Sequence, residues 1–282
     1  MLRKVSALAA LGLALLTAQP ALSAAHPEHP HNVKWGFEGP FGRFDKAQLQ
    51  RGYKVYREVC ASCHAMSLVS FRNLGQKGGP FFDEKYPNPN DNPYVKALAK
   101  DIQVNDIDTE TGDTIQRPAT SADRFPSPFP NEYAARASNG GAYPPDLSVI
   151  AKARSGGPQY IYSLLVGYEK PPAGLTVPPG QHYNPFMPGD VSAFYKGDHS
   201  HVPKGGFLAM PPPLGADKVT FDDGTKSTVH QQAMDVTAFL TWAAEPKMEE
   251  RKQFGFAAMI YLLILTVLLW FSYRRIWRNV AH

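Results

Sequence analysis

Only two cysteines occur in the 282 residues of this chain, and they stand three apart with a histidine directly behind them: Cys60-Ala61-Ser62-Cys63-His64. No other feature constrains the fold as much, because the spacing places two thiols and an imidazole on one turn of chain. Each thiol can form a thioether to one vinyl group of a porphyrin, and the next residue is then carried beneath the ring as an iron ligand. Other uses of the spacing lack their parts. A zinc site needs about four ligands, typically from a second such pair, and the chain has no further cysteine. A thioredoxin-like redox pair opens a helix after a buried strand, whereas the residues before Cys60 read as a helix. A disulfide between residues this close closes almost no loop and stabilises little. The motif therefore predicts one covalently bound haem c on Cys60 and Cys63, with His64 as the proximal ligand.

The two ends of the chain fit that chemistry. Arg3 and Lys4 precede an uncharged apolar run from Val5 to Leu16, and small residues follow from Ala21 to Ala25. This is the pattern of a secretory signal peptide over residues 1–24, with cleavage after Ser23 and after Ala25 both fitting. The run falls short of the ~20 residues a spanning helix needs. Thioether attachment belongs to an oxidising compartment, so export suits the motif. At the other end, Phe254 to Phe271 is free of charge, and Arg274, Arg275 and Arg278 follow among Trp270, Tyr273 and Trp277. A transmembrane anchor is predicted over 253–273, with a cytoplasmic tail over 274–282. That leaves 25–252 as a periplasmic haem domain held at the inner (plasma) membrane. Setting aside the five basic residues of signal and tail leaves 24 basic against 25 acidic, a balance that gives no support to a nucleic-acid partner.

Between these ends the chain reads as mainly α with long loops. His26-Pro27-Glu28-His29-Pro30-His31 reads as a solvated leader. Asp45 and Gln48 form a capping-box pattern ahead of Leu49, Tyr53, Tyr56 and Cys60, which recur on one helical face, so a helix leads into the motif. Residues 71–130 are rich in Gly, Pro and Asn and predict ordered loop, with one helix from Pro93 to Lys100. Asp101, Asp106, Asp108, Glu110 and Asp113, together with Asp222 and Asp223, read either as solvated loop or as a docking surface for a basic partner. Short helices are expected over 131–137, from an Asp146 cap to Arg154, and over 158–168. The last helix before the anchor spans 230–244, with Ala233, Val236, Phe239, Leu240 and Ala243 on one face. No strand is predicted.

The second axial position of the iron has several candidates. Met66 lies too near His64 in sequence to reach round a porphyrin, Met234 falls within the last helix, and Met248 and Met259 fall at or in the anchor. Met187, Met210, His182, His199, His201 and His230 remain. Met210 is preferred, because the glycines of Gly205-Gly206-Phe207-Leu208-Ala209-Met210-Pro211-Pro212-Pro213 allow close approach and its prolines pre-set the loop. A His/Met pair raises the reduction potential and closes the iron to substrates, as electron carriers require.

Taken together, these motifs resemble the cytochrome c1 family, the haem subunit of the cytochrome bc1 complex. The resemblance covers nearly the whole mature chain. It runs through Arg51-Gly52-Tyr53 and the cysteine motif, Ala135 to Asn139, Gly141 to Ser148, Lys152 to Gly157, Tyr160 to Tyr168, Tyr183 to Gly189, Leu208 to Pro212, Phe221 to Thr225 and the anchor. It implies a class I cytochrome c-like haem domain with long loop insertions and one C-terminal transmembrane helix. It implies His64 and Met210 as the axial pair, Asn139, Pro144 and Pro145 lining the haem pocket, and Arg154 with Tyr160 donating to a haem propionate. It also weighs against Met187, which falls where relatives carry an aromatic residue. The partners it implies are cytochrome b, a Rieske iron–sulphur protein and a soluble or membrane-tethered c-type cytochrome, in a dimeric ubiquinol–cytochrome c oxidoreductase. The chain would be an electron-transfer subunit with no substrate chemistry of its own. Two departures stand out. Asp190 to Lys204 looks like an insertion relative to mitochondrial members, and an extra cysteine pair found in some bacterial relatives is absent, which leaves Pro188, Pro203 and the 211–213 prolines to brace the distal loop. Two rivals make different predictions. A free-standing tethered cytochrome needs a long linker before its anchor, and an open-haem enzyme or sensor binds carbon monoxide.

Overall fold

Asp45 starts the first long helix: its carboxylate accepts the Gln48 N–H at 2.7 Å, and α1 (Lys46–Glu58) runs from there into a 3-10 turn at Cys60–Ser62. The computed structural model describes residues 27–279. The predicted signal peptide, Ala25, His26 and the last three residues of the tail lie outside them. The chain divides into two units: one of Pro30–Val166 with the chain from Pro212 onward, and one of Gly167–Pro211 with the residues up to His29.

In the larger unit the remaining helices are α2 (Phe71–Gly75), α3 (Pro93–Lys100), α4 (Glu132–Ser138), α5 (Ile150–Ala153), α6 (Gly157–Val166), α7 (Val229–Ala244) and α8 (Met248–Trp277). Its core is the packing of α1 on α7. Leu49, Tyr53 and Tyr56 are buried on one side, and Ala233, Val236, Phe239, Leu240 and Ala243 on the other, as the two helical periodicities predict. Tyr53 and Tyr56 both meet the Phe239 ring, at 5.7 and 5.8 Å between centroids. Each large side chain buried here contributes about 2 kcal/mol. Gly52 lets the helices close: a Cβ in its place would lie 2.1 Å from the Asp235 carbonyl oxygen. Beside it the Arg51 guanidinium donates to both oxygens of the fully buried Asp235, at 2.8 and 3.3 Å, and to Asp223 at 2.6 Å. An acid is tolerated in this core because a fork of donors meets it.

Residues 71–130 hold more regular structure than their composition suggests. Besides α3, they contain α2 and an antiparallel hairpin of β1 (Gln103–Ile107) and β2 (Thr114–Pro118). The expectation of no strand is thus corrected. The strands alternate only weakly in polarity and stay largely exposed, so the period-2 signal is faint. Side chains hold them instead: Arg117 pairs with Asp106 across the hairpin and donates to Asp123 at 2.8 and 3.0 Å. Arg117 holds both carboxyls below the usual range. A carboxylate with a depressed folded pKa adds stability above its unfolded value of about 4, and that stability is lost as pH falls through the folded value. Protection of the β1 and β2 amides against hydrogen exchange, taken relative to their intrinsic rates, is expected to fall with acidification below about pH 4, and Asp123→Asn is expected to weaken that fall.

The leader is also corrected. His31 donates its backbone N–H to Ser163 Oγ at 2.7 Å, and Val33 donates to Gln159 Oε1 at 2.9 Å, so this stretch is pinned to α6. At the C-terminal end only Glu245 to Lys247 separate α7 from α8, whose apolar length is sufficient to cross a membrane and is not buried by the protein. The long linker of a tethered shuttle does not occur.

The smaller unit is organised by β3 (His182–Asn184) pairing antiparallel with β4 (Gly206–Leu208). Its core is Leu175, Tyr183 and Val191. Val191 is fully buried, and the Tyr183 hydroxyl donates to the Lys204 carbonyl at 2.6 Å. The apparent insertion from Asp190 to Lys204 thus supplies part of that unit's core and closes over its hairpin.

Candidate haem-binding site

The 3-10 turn after α1 presents the motif. The Cys63 and His64 amides donate back to the Cys60 carbonyl, at 3.1 and 2.9 Å, which curls the two thiols and the imidazole onto one turn. Cys60 and Cys63 are not bonded to each other. Burial pushes the Cys60 thiol up to about 12, so it is held neutral.

His64 is oriented from outside its own turn. Its Nδ1 lies 2.8 Å from the Pro145 carbonyl oxygen. A carbonyl can only accept, so Nδ1 carries the proton and Nε2 keeps its lone pair for a metal. Burial lowers the His64 pKa, against the pull of the Pro145 carbonyl and the Asp146 charge. A neutral imidazole is the form that binds iron.

The segment holding that carbonyl is laced to the motif along its length. Leu147 N–H donates to the Ala65 carbonyl at 2.8 Å, and Leu68 N–H to Ser148 Oγ at 3.0 Å. Asp146 accepts from Ser67 N–H and Oγ at 2.9 and 2.7 Å, and from Ser148 N–H at 2.7 Å. The expectation that Asp146 caps a helix through Arg154 is therefore corrected: α5 begins at Ile150 without a side-chain cap, and Asp146 instead buckles two loops together. Ser67, Asp146 and Ser148 are site-bracing residues that pattern reading missed, although Asp146-Leu147-Ser148 is an Asx-turn pattern that could have shown them. Asp146→Ala is expected to cost about 2 kcal/mol, since it strands three donors. Denaturant unfolding followed at the haem absorbance measures it.

The other predicted residues divide between the units. Asn139 ends α4, with Nδ2 donating to the Ala135 carbonyl at 2.7 Å, and Pro144 is half-buried beside exposed Pro145. Arg154 is exposed and Tyr160 buried; burial raises the Tyr160 pKa while the Arg154 charge opposes it, which places the two within electrostatic reach. These five residues, the cysteines and His64 belong to the larger unit. Met210 belongs to the smaller unit, two residues past β4, half-buried, with its carbonyl accepting the Tyr168 hydroxyl at 3.1 Å.

The donor set fits a c-type haem: two unpaired thiols three residues apart, and an adjacent imidazole whose iron-binding nitrogen is left free. Among the described residues no group of three His, Cys, Asp or Glu side chains is assembled as a bare metal site. The acidic set is partly neutralised by its neighbours. Asp101 pairs with Arg57, Asp106 with Arg117, Asp222 with Lys54 and Asp223 with Arg51.

Known proteins match the chain over nearly its whole length. The family model described as "Cytochrome C1 family" matches residues 35–280. A "Cytochrome c1" of Rhodospirillum rubrum is 39% identical, over 98% of this chain and 97% of that protein. A mitochondrial "Cytochrome c1 1, heme protein" of Arabidopsis thaliana is 43% identical over 96% of this chain and 81% of its own length. A "Cytochrome b/c1" of Bradyrhizobium diazoefficiens is 42% identical over 98% of this chain, which spans only 39% of that protein. From the motif, its fold and these matches, the chain belongs to the cytochrome c1 family, whose members carry a covalently bound c-type haem and serve electron transfer as a component of the bc1 complex.

Proposed function

We propose that Cys60 and Cys63 hold the haem, that His64 and Met210 are its axial ligands, and that the chain relays single electrons between two protein partners. The observation that carries this reading is the His64 Nδ1 contact to the Pro145 carbonyl beside two unpaired thiols. When bound, the haem supplies one reversible change of iron valence. The chain's own residues fix its ligands and exclude water, with Arg154 and Tyr160 donating to a propionate and Asn139, Pro144 and Pro145 walling the pocket. No general base or nucleophile is required.

In this reading the donor is a Rieske iron–sulphur protein and the acceptor a soluble or tethered c-type cytochrome. The chain sits beside cytochrome b in a dimeric ubiquinol–cytochrome c oxidoreductase. The signal peptide at 1–24 is removed, the haem domain faces the periplasm, α8 anchors it, and the arginine tail lies in the cytoplasm. The absence of a long segment between α7 and α8 supports a subunit fixed against its complex over a swinging shuttle. Purification from membranes tests the assignment: the haem-stained band should travel with a b-type cytochrome and with quinol-oxidising activity, and a band that separates from both would contradict it.

For the acceptor, Asp108, Glu110 and Asp113, at the turn of the β1–β2 hairpin, are the acids of this set that form no ion pair among the described residues. Reversing all three charges is expected to flatten the salt dependence of electron transfer to the soluble cytochrome. An unchanged salt dependence would remove this hairpin from the docking surface.

A further inference from the structure

The loop before α1 meets the base of the anchor. Lys252 Nζ, in the second turn of α8, donates to the Phe37 and Gly42 carbonyls at 2.6 and 3.2 Å, and Phe44 N–H donates to Glu249 Oε1 at 2.9 Å. The Phe41 ring packs edge-on against Phe256 at 5.6 Å. Between loop and helix lies a cleft of about 110 Å³, bordered by Phe41, Arg43, Glu249, Lys252, Gln253 and Phe256.

Three observations say what occupies this cleft. The first is depth. The charge-free run begins at Phe254, and at 1.5 Å rise per residue Lys252 stands only about 3 Å before it, at the level where hydrocarbon gives way to headgroups. The second is charge. Arg43 and Lys252 face one carboxylate, that of Glu249, which is already engaged by the Phe44 amide. Lys252 has one N–H beyond its two carbonyl partners, and Arg43 is exposed. A guanidinium and an ammonium at one opening complement a phosphate diester. The third is the apolar lip: Phe41 is 75% exposed and Phe256 54% exposed, on the side that continues into the unburied surface of α8. Aromatic rings at that depth rest against acyl chains.

We propose that this cleft binds the headgroup of one anionic phospholipid in the leaflet on the haem-domain side. The phosphate is held by Arg43 and Lys252 and the upper acyl chains by Phe41 and Phe256. The site ties the 36–44 loop to the membrane surface as well as to α8, so the lipid fixes the height of the haem domain above the bilayer.

The test uses the full-length haem-loaded protein with the subunits that copurify. After delipidation it is exchanged into mixed micelles containing phosphatidylglycerol or phosphatidylcholine, and retained lipid is counted per haem by mass spectrometry. Retention of phosphatidylglycerol above phosphatidylcholine is expected, falling about fivefold in Arg43→Gln and in Phe41→Ser, with Arg43→Lys keeping most of it. An unchanged haem absorbance shows that each variant has folded. Equal retention of the two lipids would overturn the proposal, as would retention unaffected by Arg43→Gln, which is the result if another subunit covers the cleft. Displacement by millimolar inorganic phosphate would assign a free-anion site and also overturn it. The proposal rests on α8 crossing the bilayer, and resistance of the protein to alkaline extraction from membranes tests that separately.

Discussion

Met210→Leu is expected to lower the midpoint potential by on the order of 100 mV or more, within the ~0.8 V that axial ligation covers, and to let the ferrous haem bind carbon monoxide. Leucine keeps the size and apolarity of methionine, so packing of the half-buried side chain changes little. What is lost is the thioether. A soft sulphur ligand favours ferrous iron and raises the potential, and it closes the coordination site that an external ligand would use. The peptide around Met210 is held by the Tyr168 hydroxyl on its carbonyl and by three prolines directly behind it, so the loop stays in place when the sulphur goes. Met187→Leu serves as the control and is expected to change neither quantity. If Met210→Leu left the visible spectrum and the midpoint as they were, the second axial ligand would have to be sought elsewhere.

Gly52→Ala should produce the largest loss of stability of any single methyl addition in the core. The new Cβ would lie 2.1 Å from the Asp235 carbonyl oxygen, 2.7 Å from its carbon and 2.7 Å from Phe239 Cβ. Two of those atoms are backbone of α7, which cannot turn aside as a side chain does, so α1 and α7 must part. Separating them loosens Leu49, Tyr53, Val236 and Phe239 and pulls Arg51 from the buried Asp235 carboxylate, which is costly to leave unpaired. The expected destabilisation is about 3 kcal/mol, read by guanidinium unfolding of the holoprotein. A change below about 0.5 kcal/mol would show that the helices do not meet at this glycine. Because α1 delivers the cysteine motif, haem incorporation should fall with stability.

The long helices were legible because their signal is repeated. Four or five apolar residues at helical spacing place α1 and α7, and α8 announces itself by an uncharged run that no soluble surface would display. The prolines and asparagine around Pro93 define α3 to the residue, since proline at the first position and asparagine at the cap are local chemistry. What the sequence hides is whatever depends on partners far away in the chain. The β1–β2 hairpin mixes polar and apolar residues on its faces and is held by Arg117 reaching Asp106 and Asp123, which no local pattern announces. Five-residue α2 is too short for periodicity. His31 at the end of the leader and Val33 just after it are ordered by Ser163 and Gln159, 126 or more positions away. At the site, the cysteine motif is visible as a string, but the carbonyl that fixes the His64 tautomer comes from Pro145, and the strap around it comes from an aspartate that looks like a helix cap. The paired state of Asp101, Asp106, Asp222 and Asp223 was hidden for the same reason, and a set of acids in sequence became a partly neutralised surface in space.

The most direct test of the central claim is the fate of the pigment when the purified full-length protein is unfolded. Denaturation in detergent followed by acidic acetone extraction should leave the haem on the polypeptide, and proteolysis with mass spectrometry should find it on the peptide containing Cys60 and Cys63, joined through both sulphurs. Release of free haem into the acetone phase, or its recovery on a peptide without those two cysteines, would contradict the account.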